Sequence, residues 1–475
     1  MNHNCYTLGV DPAKEKMTVC LLNSSRKVIA RSVDLPNTRE GFNALFALLR
    51  RHVPAGALVV AGVECTASLD DNVLEYLTHL EAPFKIAVIR ADAAAVHRFT
   101  GPRVLRGKTD HADARRIAEF THTYARELAR FEHSSQLQAL TRLVNERLAL
   151  SEDLTAQKNR LRDRLVTSFP ELTQVFNDPC CGVALALLRV APTARHAATK
   201  RPSSLAKIKA PRRGAHVVGI ERAHALHAEA QTSIASACDD TDAASIVRLV
   251  DRITMLIDQE EQAEKELRRA LTPPAPAQQA ASNQAGARTG EEAPQQAGNE
   301  QNADADIARQ VAIADSMPGI GFVSAAAIVL RSGGVRRFIT DKAFAAQLGV
   351  CPERNQTGSS RDTARLTRRG DRRLRAMLYM CILAATQCDL AMKFHKWRLC
   401  KGGLTPKQAQ CACMNRYAKI LWHLIQNNTD YDPLRAIQNA QKHHPELWKT
   451  FLQTVENKGT NSKKNMQNTP KEALI

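Results

Sequence analysis

The first quarter of this 475-residue sequence alternates short apolar runs with helix-like stretches, and this alternation restricts the fold more than any other feature. Three apolar runs joined by short polar turns predict a β-meander: residues 6–10, 17–22 and 28–33. An amphipathic helix over 38–51 follows, and the continuous apolar run 57–63 predicts a buried central strand. A helix around 73–80, a strand over 84–89 and a last helix complete the order βββαβαβα.

Carboxylates stand at the ends of two predicted strands and at the start of the last helix. Asp11 follows the first strand, and Glu64 follows the fourth. Asp110 and Asp113 come after Thr109, a plausible N-cap, and their spacing points both the same way from one helix start. An Asp-x-x-Asp pair alone is more typical of a solvated helix start than of a metal site, so the metal-site hypothesis depends on the two acids upstream.

This arrangement of acids predicts a metal site on a known kind of sheet. A sheet with these elements presents its chemistry at strand ends, and a hard cation prefers carboxylate oxygens from separate segments. The order of strands and acids is ribonuclease-H-like, so we expect an α/β N-terminal domain of residues 1–130 that binds Mg²⁺ or Mn²⁺. An actin-like sugar kinase or ATPase also begins with an Asp-bearing hairpin. That fold needs glycines beside the Asp for phosphate to approach, whereas Pro12, Ala13 and Lys14 stand there.

Two long stripes of apolar residues at near-heptad spacing follow. They cover Leu137–Leu165 and Ile246–Leu271 and predict two arms of an antiparallel or intermolecular coiled coil. We expect a helical, coiled-coil connector over residues 131–272. Shorter helical pieces and a basic turn lie between the arms, over 177–239, and the sequence assigns them no role.

A low-complexity stretch rich in Pro, Ala, Gln, Gly and Asn separates the connector from the C-terminal part. Residues 273–306 lack periodicity and predict a disordered linker. We expect a helical C-terminal domain over 307–453 and a flexible tail over 454–475. The fold class expected for the whole chain is therefore α/β plus α-helical.

The net charge and the cysteines indicate which partners and which cellular compartment to expect. The formal charge of +18 and pI near 9.6 favour an acidic polymer, and nucleic acid is the expected one. No apolar run of 18 residues occurs, which disfavours a membrane. The N-terminus does not resemble a signal peptide, and the twelve cysteines contain no Cys-x-x-Cys, so we expect a reduced, cytoplasmic, nucleoid-associated protein without a zinc site.

Two C-terminal features predict contacts with phosphate. Met317-Pro-Gly-Ile-Gly321 resembles the hairpin of a helix-hairpin-helix element, in which the N–H groups near Gly319 and Gly321 meet a DNA phosphate; a tight structural turn is the alternative. Residues 361–375 contain seven arginines against two acids and predict a phosphate-contact surface, unless they form a merely solvated helix. The arginines are Arg361, Arg365, Arg368, Arg369, Arg372, Arg373 and Arg375.

Three N-terminal blocks carry a specific resemblance. They are Gly9-Val-Asp11-x-Ala-Lys-Glu-Lys16, Val63-Glu64-Cys-Thr-Ala67 and Lys108-Thr-Asp110-x-x-Asp113-Ala-Arg115. Together they resemble the IS110-family transposases, a group that includes Piv-like site-specific invertases. The resemblance implies a RuvC-like domain whose Asp-Glu-Asp-Asp metal tetrad is Asp11, Glu64, Asp110 and Asp113. Within the third block, we expect Lys108 and Arg115 to contact nucleic acid.

The C-terminal segment resembles the second domain of the same transposases, in which a serine before a glycine acts as nucleophile. Counted from Pro352, that position is Thr357, followed by Gly358, Ser359 and Ser360. Three interpretations remain open: Thr357 serves with its hydroxyl, Ser359 or Ser360 serves in a shifted loop, or strand transfer is impaired. A nucleophilic hydroxyl splits one difficult displacement into two and conserves the bond for rejoining.

The expected function is that of a DNA transposase or site-specific recombinase. The resemblance also implies a homo-oligomer, a dimer or tetramer, in which the tetrad and the nucleophile come from different subunits, and in some members a structured guide RNA. Two alternatives are a metal-dependent nuclease of the RuvC type and a catalytically impaired derivative that only binds nucleic acid.

Overall fold

The structure is a computed structural model of the chain. It describes residues 5–65, 69–91, 93–99, 110–125, 135–210, 216–272, 295–357, 361–367 and 370–455. The chain divides into two compact units: Met1–Gln138 with Arg336–Thr340, and Ala139–Val335 with Asp341–Ile475. The connector and the C-terminal domain, which we expected to be separate, thus belong to the same unit.

Unit 1 is built on a five-stranded mixed sheet. Its strands are β1 Cys5–Pro12, β2 Lys16–Leu22, β3 Val28–Pro36, β4 Leu58–Glu64 and β5 Lys85–Ala91. Their order is β3-β2-β1-β4-β5, with β1 antiparallel to β2 and parallel to β4. β2 and β3 are antiparallel, and β4 and β5 are parallel. The predicted meander and the α/β class are confirmed.

Helices cover both faces of this sheet. They are α1 Arg39–His52, α2 Asp71–His79, α3 Ala93–Phe99 and α4 Asp110–Tyr124. Leu45 and Leu49 of α1 and Leu74 of α2 pack on the face that carries Val10 and Val63. α4 packs on the other face, where its Ala114 and Ala118 meet Cys20 and Leu22. Successive side chains of a strand point to opposite faces of the sheet, and the central strands are apolar throughout. Both faces are therefore apolar and need helices to cover them.

Unit 2 begins with two long helices that enclose a set of short ones. These are α5 Ser135–Ser168, α6 Leu172–Val175, α7 Gly182–Val190, α8 Ala194–Thr199, α9 Pro202–Ala206, α10 Ile220–Gln231 and α11 Asp240–Leu271. The two apolar stripes meet in one buried cluster, in which Leu165 of α5 and Ile246 of α11 take part. Arg147 of α5 pairs with Glu260 of α11 at 2.5 Å. The early part of one helix therefore lies beside the late part of the other, so they run antiparallel.

The segment between the long helices has a clear structural role that the sequence analysis did not assign. Phe169, Leu172, Leu187 and Leu226 are fully buried in the same cluster as the two stripes. The short helices complete the core that α5 and α11 alone leave open. Of the predicted basic turn, Lys207 and Lys209 belong to the described residues, whereas Arg212 and Arg213 lie outside them.

The rest of unit 2 is mostly helical. Its elements are α12 Gln295–Asp315, α13 Phe322–Arg331, α14 Asp341–Gln347, β6 Pro352–Thr357, β7 Arg361–Leu366, α15 Arg372–Cys388, α16 Leu390–Lys401, α17 Pro406–Gln426 and α18 Pro433–His443, followed by helical residues 445–455. No single helix among the described residues is long and apolar enough to cross a membrane. α15 and α16 pass that test only as a pair bent by 102°.

Two parts of this unit differ from a simple reading of the sequence. Residues 295–306 of the predicted linker, 273–306, form the start of α12, and residues 273–294 lie outside the described part of the chain. Once the apolar turns 307–315 are helical, adding Ala, Gln and Asn residues to that helix costs little. The C-terminal domain, expected to be helical, also contains the β6–β7 hairpin, whose strands consist mostly of polar and charged residues and lack apolar alternation.

Candidate active site

Asp11 and Glu64 lie side by side at the carboxyl edge of the sheet. β1 and β4 pair in parallel with Val10 opposite Val63, and the two acids are the next residue on each strand. Neighbouring strands are about 4.8 Å apart. Because side chains alternate, both acids point to the face of Gly9 and Gly62, which is the face that α4 covers. Both residues are partly buried.

Two glycines in register let α4 approach this face. Gly9 is paired with Gly62 across β1 and β4. A Cβ on Gly9 would lie 2.3 Å from the carbonyl oxygen of Ala114, and a Cβ on Gly62 would lie 1.9 Å from Oγ1 of Thr121. The helix thus rests directly on the strand backbones. Its first turns are held beside the strand ends that carry the acids.

The two acids of α4 lie in its first turns, and Asp113 is next to a residue that packs on Gly9. Asp113 precedes Ala114, whose carbonyl oxygen faces Gly9. Its Oδ1 accepts a hydrogen bond from Nη1 of Arg116 at 2.5 Å, and both side chains are largely buried. Asp110 is the first residue of α4, but its side chain lies outside the described part of the chain. The structure therefore brings Asp11 and Glu64 together and holds the first turns of α4 against β1.

The donor chemistry of these acids fits a hard divalent cation, with one qualification that the structure adds. Carboxylate oxygens are the ligands that Mg²⁺ and Mn²⁺ prefer. Among the described side chains, no group of three or more His, Cys, Asp or Glu residues is gathered closely enough to hold a metal ion. Asp113 already has Arg116 as its cationic partner. A metal bound by Asp113 would have to share or displace that arginine.

The other residues predicted near the third block differ in their surroundings. Arg115 is exposed and pairs with Glu119 of the same helix, its Nε at 2.9 Å from Oε1. Such exposed pairs contribute little to stability, so the Arg115 guanidinium stays available for another anion. Lys108 lies outside the described residues.

The candidate nucleophile lies on the β6–β7 hairpin. Thr357 is the last residue of β6 and is paired with Arg361, the first residue of β7. The register also sets Arg365 opposite Glu353. Ser359, Ser360, Arg368 and Arg369 lie outside the described residues. Two of the predicted arginines thus follow a candidate hydroxyl on a short antiparallel ribbon in unit 2.

The second half of the arginine run begins α15. Arg372 and Arg373 are exposed in its first turn, and Nη2 of Arg373 donates to Oε2 of Glu152 on α5 at 2.9 Å. Asp371 caps the helix by accepting from the N–H groups of Arg373 and Leu374. Its other oxygen accepts from Arg331 at 2.5 and 2.8 Å. Asp371 therefore links α15 to α13, in addition to lowering the net positive charge of the arginine-rich segment.

The Pro-Gly-Ile-Gly turn joins α12 to α13. Gly319 has a φ of 81°, and a Cβ there would lie 2.4 Å from the carbonyl oxygen of Cys381 on α15. Packing on α15 is therefore enough to require this glycine. A Cβ on Gly321 would meet nothing within 4 Å. The N-terminus of α13, at Gly321, remains the part of this turn that can approach a phosphate.

One further pair near the site was missed from the sequence. Arg90 lies at the end of β5, opposite Val63, and its Nε donates to Oδ2 of the fully buried Asp70 at 2.6 Å. Burial lowers the pKa of Arg90, but the hydrogen bond and charge of Asp70 outweigh burial and raise it. The only sequence signal was an arginine at the end of an apolar strand, which is also typical of a solvent-facing strand end.

Comparisons with known proteins assign the class. A family model for IS110-type DEDD transposases, described as transposase, matches residues 8–170. A second, described as the transposase IS116/IS110/IS902 family, matches residues 311–396. The sheet carries acids at the ends of two adjacent strands, and the two family matches follow one another along the chain. Together they indicate a protein of the transposase class. This chain belongs to the IS110 family of transposases.

Individual relatives agree over different lengths. A probable family 20 transposase of Pseudomonas aeruginosa is 34% identical over 133 residues, which are 27% of this chain and 38% of that protein. The transposase for insertion sequence element IS1328 of Yersinia enterocolitica is 27% identical over 24% of this chain and 35% of its own length. The matches therefore span little more than a third of these two relatives. An uncharacterised 43.6 kDa protein of the IS110 element of Streptomyces coelicolor is 23% identical over 87% of this chain and 91% of its own.

Proposed function

We propose that this protein is a DNA transposase or site-specific recombinase that cuts and rejoins DNA strands. The observation that carries the proposal is the position of Asp11 and Glu64 on adjacent parallel strands, each one residue beyond the paired Val10 and Val63, beneath a helix that two glycines hold against the sheet. The names of the relatives and the basic charge of the chain support DNA as the substrate. We further propose that unit 1 is RuvC-like and that α5 and α11 form an antiparallel coiled coil.

Asp11, Glu64, Asp110 and Asp113 are the proposed ligands of Mg²⁺ or Mn²⁺. When bound, the metal would polarise the scissile phosphate and stabilise the developing charge. Asp11 and Glu64 hold their carboxylates on one sheet face, and α4 brings Asp113 and Asp110 from a separate segment. Arg116 neutralises Asp113 in the absence of metal, which limits the repulsion between gathered acids.

The proposed nucleophile is a hydroxyl of Thr357, Ser359 or Ser360. Its oxygen forms a bond to phosphorus, its proton passes to a base, and the bond to one DNA strand breaks, which leaves that strand with a hydroxyl end. Attack by a strand end on the protein-linked phosphate reverses these changes and rejoins the DNA. Arg361 and Arg365 follow on β7 and are the nearest candidates to stabilise the charge in the transition state.

Assembly and targeting are part of the proposal. The acids belong to unit 1 and the candidate hydroxyls to unit 2. A homo-oligomer, a dimer or tetramer, would let the acids of one subunit act with the hydroxyl of another, at the nucleoid. The family resemblance further implies, for some members, a structured guide RNA that selects the DNA site.

A suicide DNA substrate containing element ends, incubated with Mg²⁺, tests the reaction. We expect wild-type protein to form a covalent adduct with DNA, and Asp11→Asn to form none. Loss of the adduct in Thr357→Ala, with retention in Ser359→Ala and Ser360→Ala and in Thr357→Ser, would identify the threonine as nucleophile. The opposite pattern would identify one of the serines.

Because a threonine stands at the expected serine position, the same assay must also test two other functions, that of a nuclease and that of a binding protein without catalytic activity. Cleavage that leaves free ends and no adduct would favour a metal-dependent nuclease that uses water. Binding without cleavage, unchanged in Asp11→Asn, would favour an impaired derivative, and activity gained by Thr357→Ser would locate the impairment.

A further inference from the structure

A groove of about 560 Å³ between α5 and α11 is lined by an unusual concentration of arginines. Arg160 and Arg164 come from α5, and Arg248 and Arg252 come from α11. All four side chains are exposed. Asp163 is the one acidic residue in the lining, and Ser245 adds a hydroxyl. The groove therefore concentrates positive charge on a part of the chain that the proposed reaction does not use.

The spacing of these arginines brings like charges close together on each helix. Residues four apart lie one above the other on a helix, so Arg160 stacks over Arg164 and Arg248 over Arg252. Like charges at this spacing destabilise a helix. Two such pairs face one groove from two helices. An anion bound between them would remove the repulsion within and across the helices.

Other arginines on the same two helices have acidic partners. Arg147 pairs with Glu260 at 2.5 Å, Arg162 with Asp178 at 3.1 Å, and Arg268 with Glu264 at 2.9 Å. Within the described ranges, none of the four groove arginines takes part in an ion pair. Acids are thus available along α5 and α11, but they do not neutralise this groove.

We propose that this groove binds the phosphate backbone of duplex DNA, as a second contact surface apart from the β6–β7 hairpin. Guanidinium groups bind phosphate oxygens in a planar, two-pronged geometry, and rows of them on two helices can contact successive phosphates. The proposal rests on the proposed function only in taking DNA as the polymer on which the protein acts. α5 and α11 then both build the core of unit 2 and hold DNA.

Fluorescence anisotropy of a short labelled DNA duplex, titrated with full-length protein over a range of salt concentrations, tests this contact. The double variant Arg164→Gln/Arg248→Gln removes one charge from each helix within the groove. We expect weaker binding and a slope of log affinity against log salt that is smaller by about two, because about one unit is lost for each phosphate contact.

The matched control, Arg142→Gln/Arg269→Gln, removes one exposed charge from each of the same helices outside the groove. It should leave the slope within a few tenths of wild type. Equal slopes for the groove variant and wild type, or equal losses in groove variant and control, would overturn the proposal. Tighter binding of an RNA duplex of the same length, with the same dependence on the groove arginines, would overturn the choice of DNA.

The suicide-substrate assay separates this proposal from the proposed function. Adduct formation by wild type, together with normal DNA binding by the groove variant, would defeat the groove proposal alone. Absence of any adduct, together with a reduced salt slope in the groove variant, would defeat the proposed reaction and leave the groove as a DNA-binding surface.

Discussion

Gly9 and Gly62 show why a residue without a side chain is needed next to a candidate metal site. If alanine replaced either glycine, its Cβ would overlap an atom of α4. The two atoms nearest to a Cβ at position 9 are the carbonyl oxygen of Ala114 and the amide nitrogen of Ala118, both in the helix backbone. Backbone atoms cannot move aside by a rotamer change. The distance between β1 and the first turns of α4 is therefore set by the absence of two methyl groups.

Replacement of Gly9 tests this reasoning. We expect Gly9→Ala to lower the free energy of unfolding by about 1–3 kcal/mol, the usual range for overpacking, and to abolish DNA cleavage because α4 shifts away from Asp11. Chemical denaturation and the cleavage assay measure the two effects. Gly321→Ala is the control for the stability measurement alone, since a Cβ there meets nothing within 4 Å. Equal stability of the two variants would contradict the prediction.

Sequence reasoning could predict the positions of the candidate acids on their strands better than the surroundings of those acids. The strand-end positions of Asp11 and Glu64 were predictable because each residue directly follows an apolar run, and a run of that kind predicts a strand. The ion pair between Asp113 and Arg116 was not predictable from the sequence. Arg115 and Arg116 are neighbours on the same helix turn, and only the packing of α4 decides that Arg116 contacts Asp113 while Arg115 contacts Glu119. The assignment of Thr357 as nucleophile stays a prediction.

At the scale of elements, Asp371 joins three helices. It caps α15, accepts two hydrogen bonds from Arg331 at the end of α13, and Arg331 also contacts Asn145 of α5. The Arg331 and Asp371 side chains are 18% and 16% exposed, so their pairing is only weakly screened by water. Loss of one partner would leave the other charge poorly compensated.

We expect Asp371→Ala to lower the free energy of unfolding of unit 2 by about 3–5 kcal/mol, because it breaks a largely buried ion pair and removes a helix cap. Urea denaturation followed by circular dichroism measures the loss. Asp432→Ala removes only a cap, that of α18, and should cost about 1 kcal/mol. Similar losses in the two variants would show that the contact with Arg331 contributes little.

The elements differ in how far the sequence could predict them. α5 and α11 were predictable because apolar residues recur at helical spacing over more than four turns. The β6–β7 hairpin was not predictable, since Pro352–Thr357 and Arg361–Leu366 contain almost no apolar residues and show no alternation that would mark them as strands. The helical start of α12 was hidden by a composition that is equally typical of disorder.

At the scale of the whole molecule, acid should destabilise the protein through a histidine as well as through its net charge. Burial and, in smaller measure, the nearby charges of Arg416, Arg398 and His444 together lower the pKa of His395 on α16 from 6.5 to about 3. Between these two pH values the unfolded chain binds a proton that the folded chain does not, so stability falls as pH falls from about 6.5 toward 3.

The variant His395→Gln removes this titration but keeps an acceptor for Arg398, whose Nη2 lies 3.3 Å from Nδ1 of the histidine. We expect the free energy of unfolding of wild type to fall more steeply between pH 6.5 and 4 than that of the variant, by up to a few kcal/mol. Urea titrations at stepped pH values measure the two slopes. Parallel slopes would mean that His395 is protonated in the folded protein at acid pH.

The seat of α4 on two glycines also has a consequence for how the helix can vary in sequence. The helix takes its position from the sheet beneath it, through backbone atoms of Ala114 and Ala118 and the side chain of Thr121. Substitutions on the face that meets the sheet would therefore move the helix, whereas substitutions on its solvent face would leave it in place. The geometry of the candidate site is thus compatible with many different sequences on the outer face of α4, which gives evolution room to alter that face.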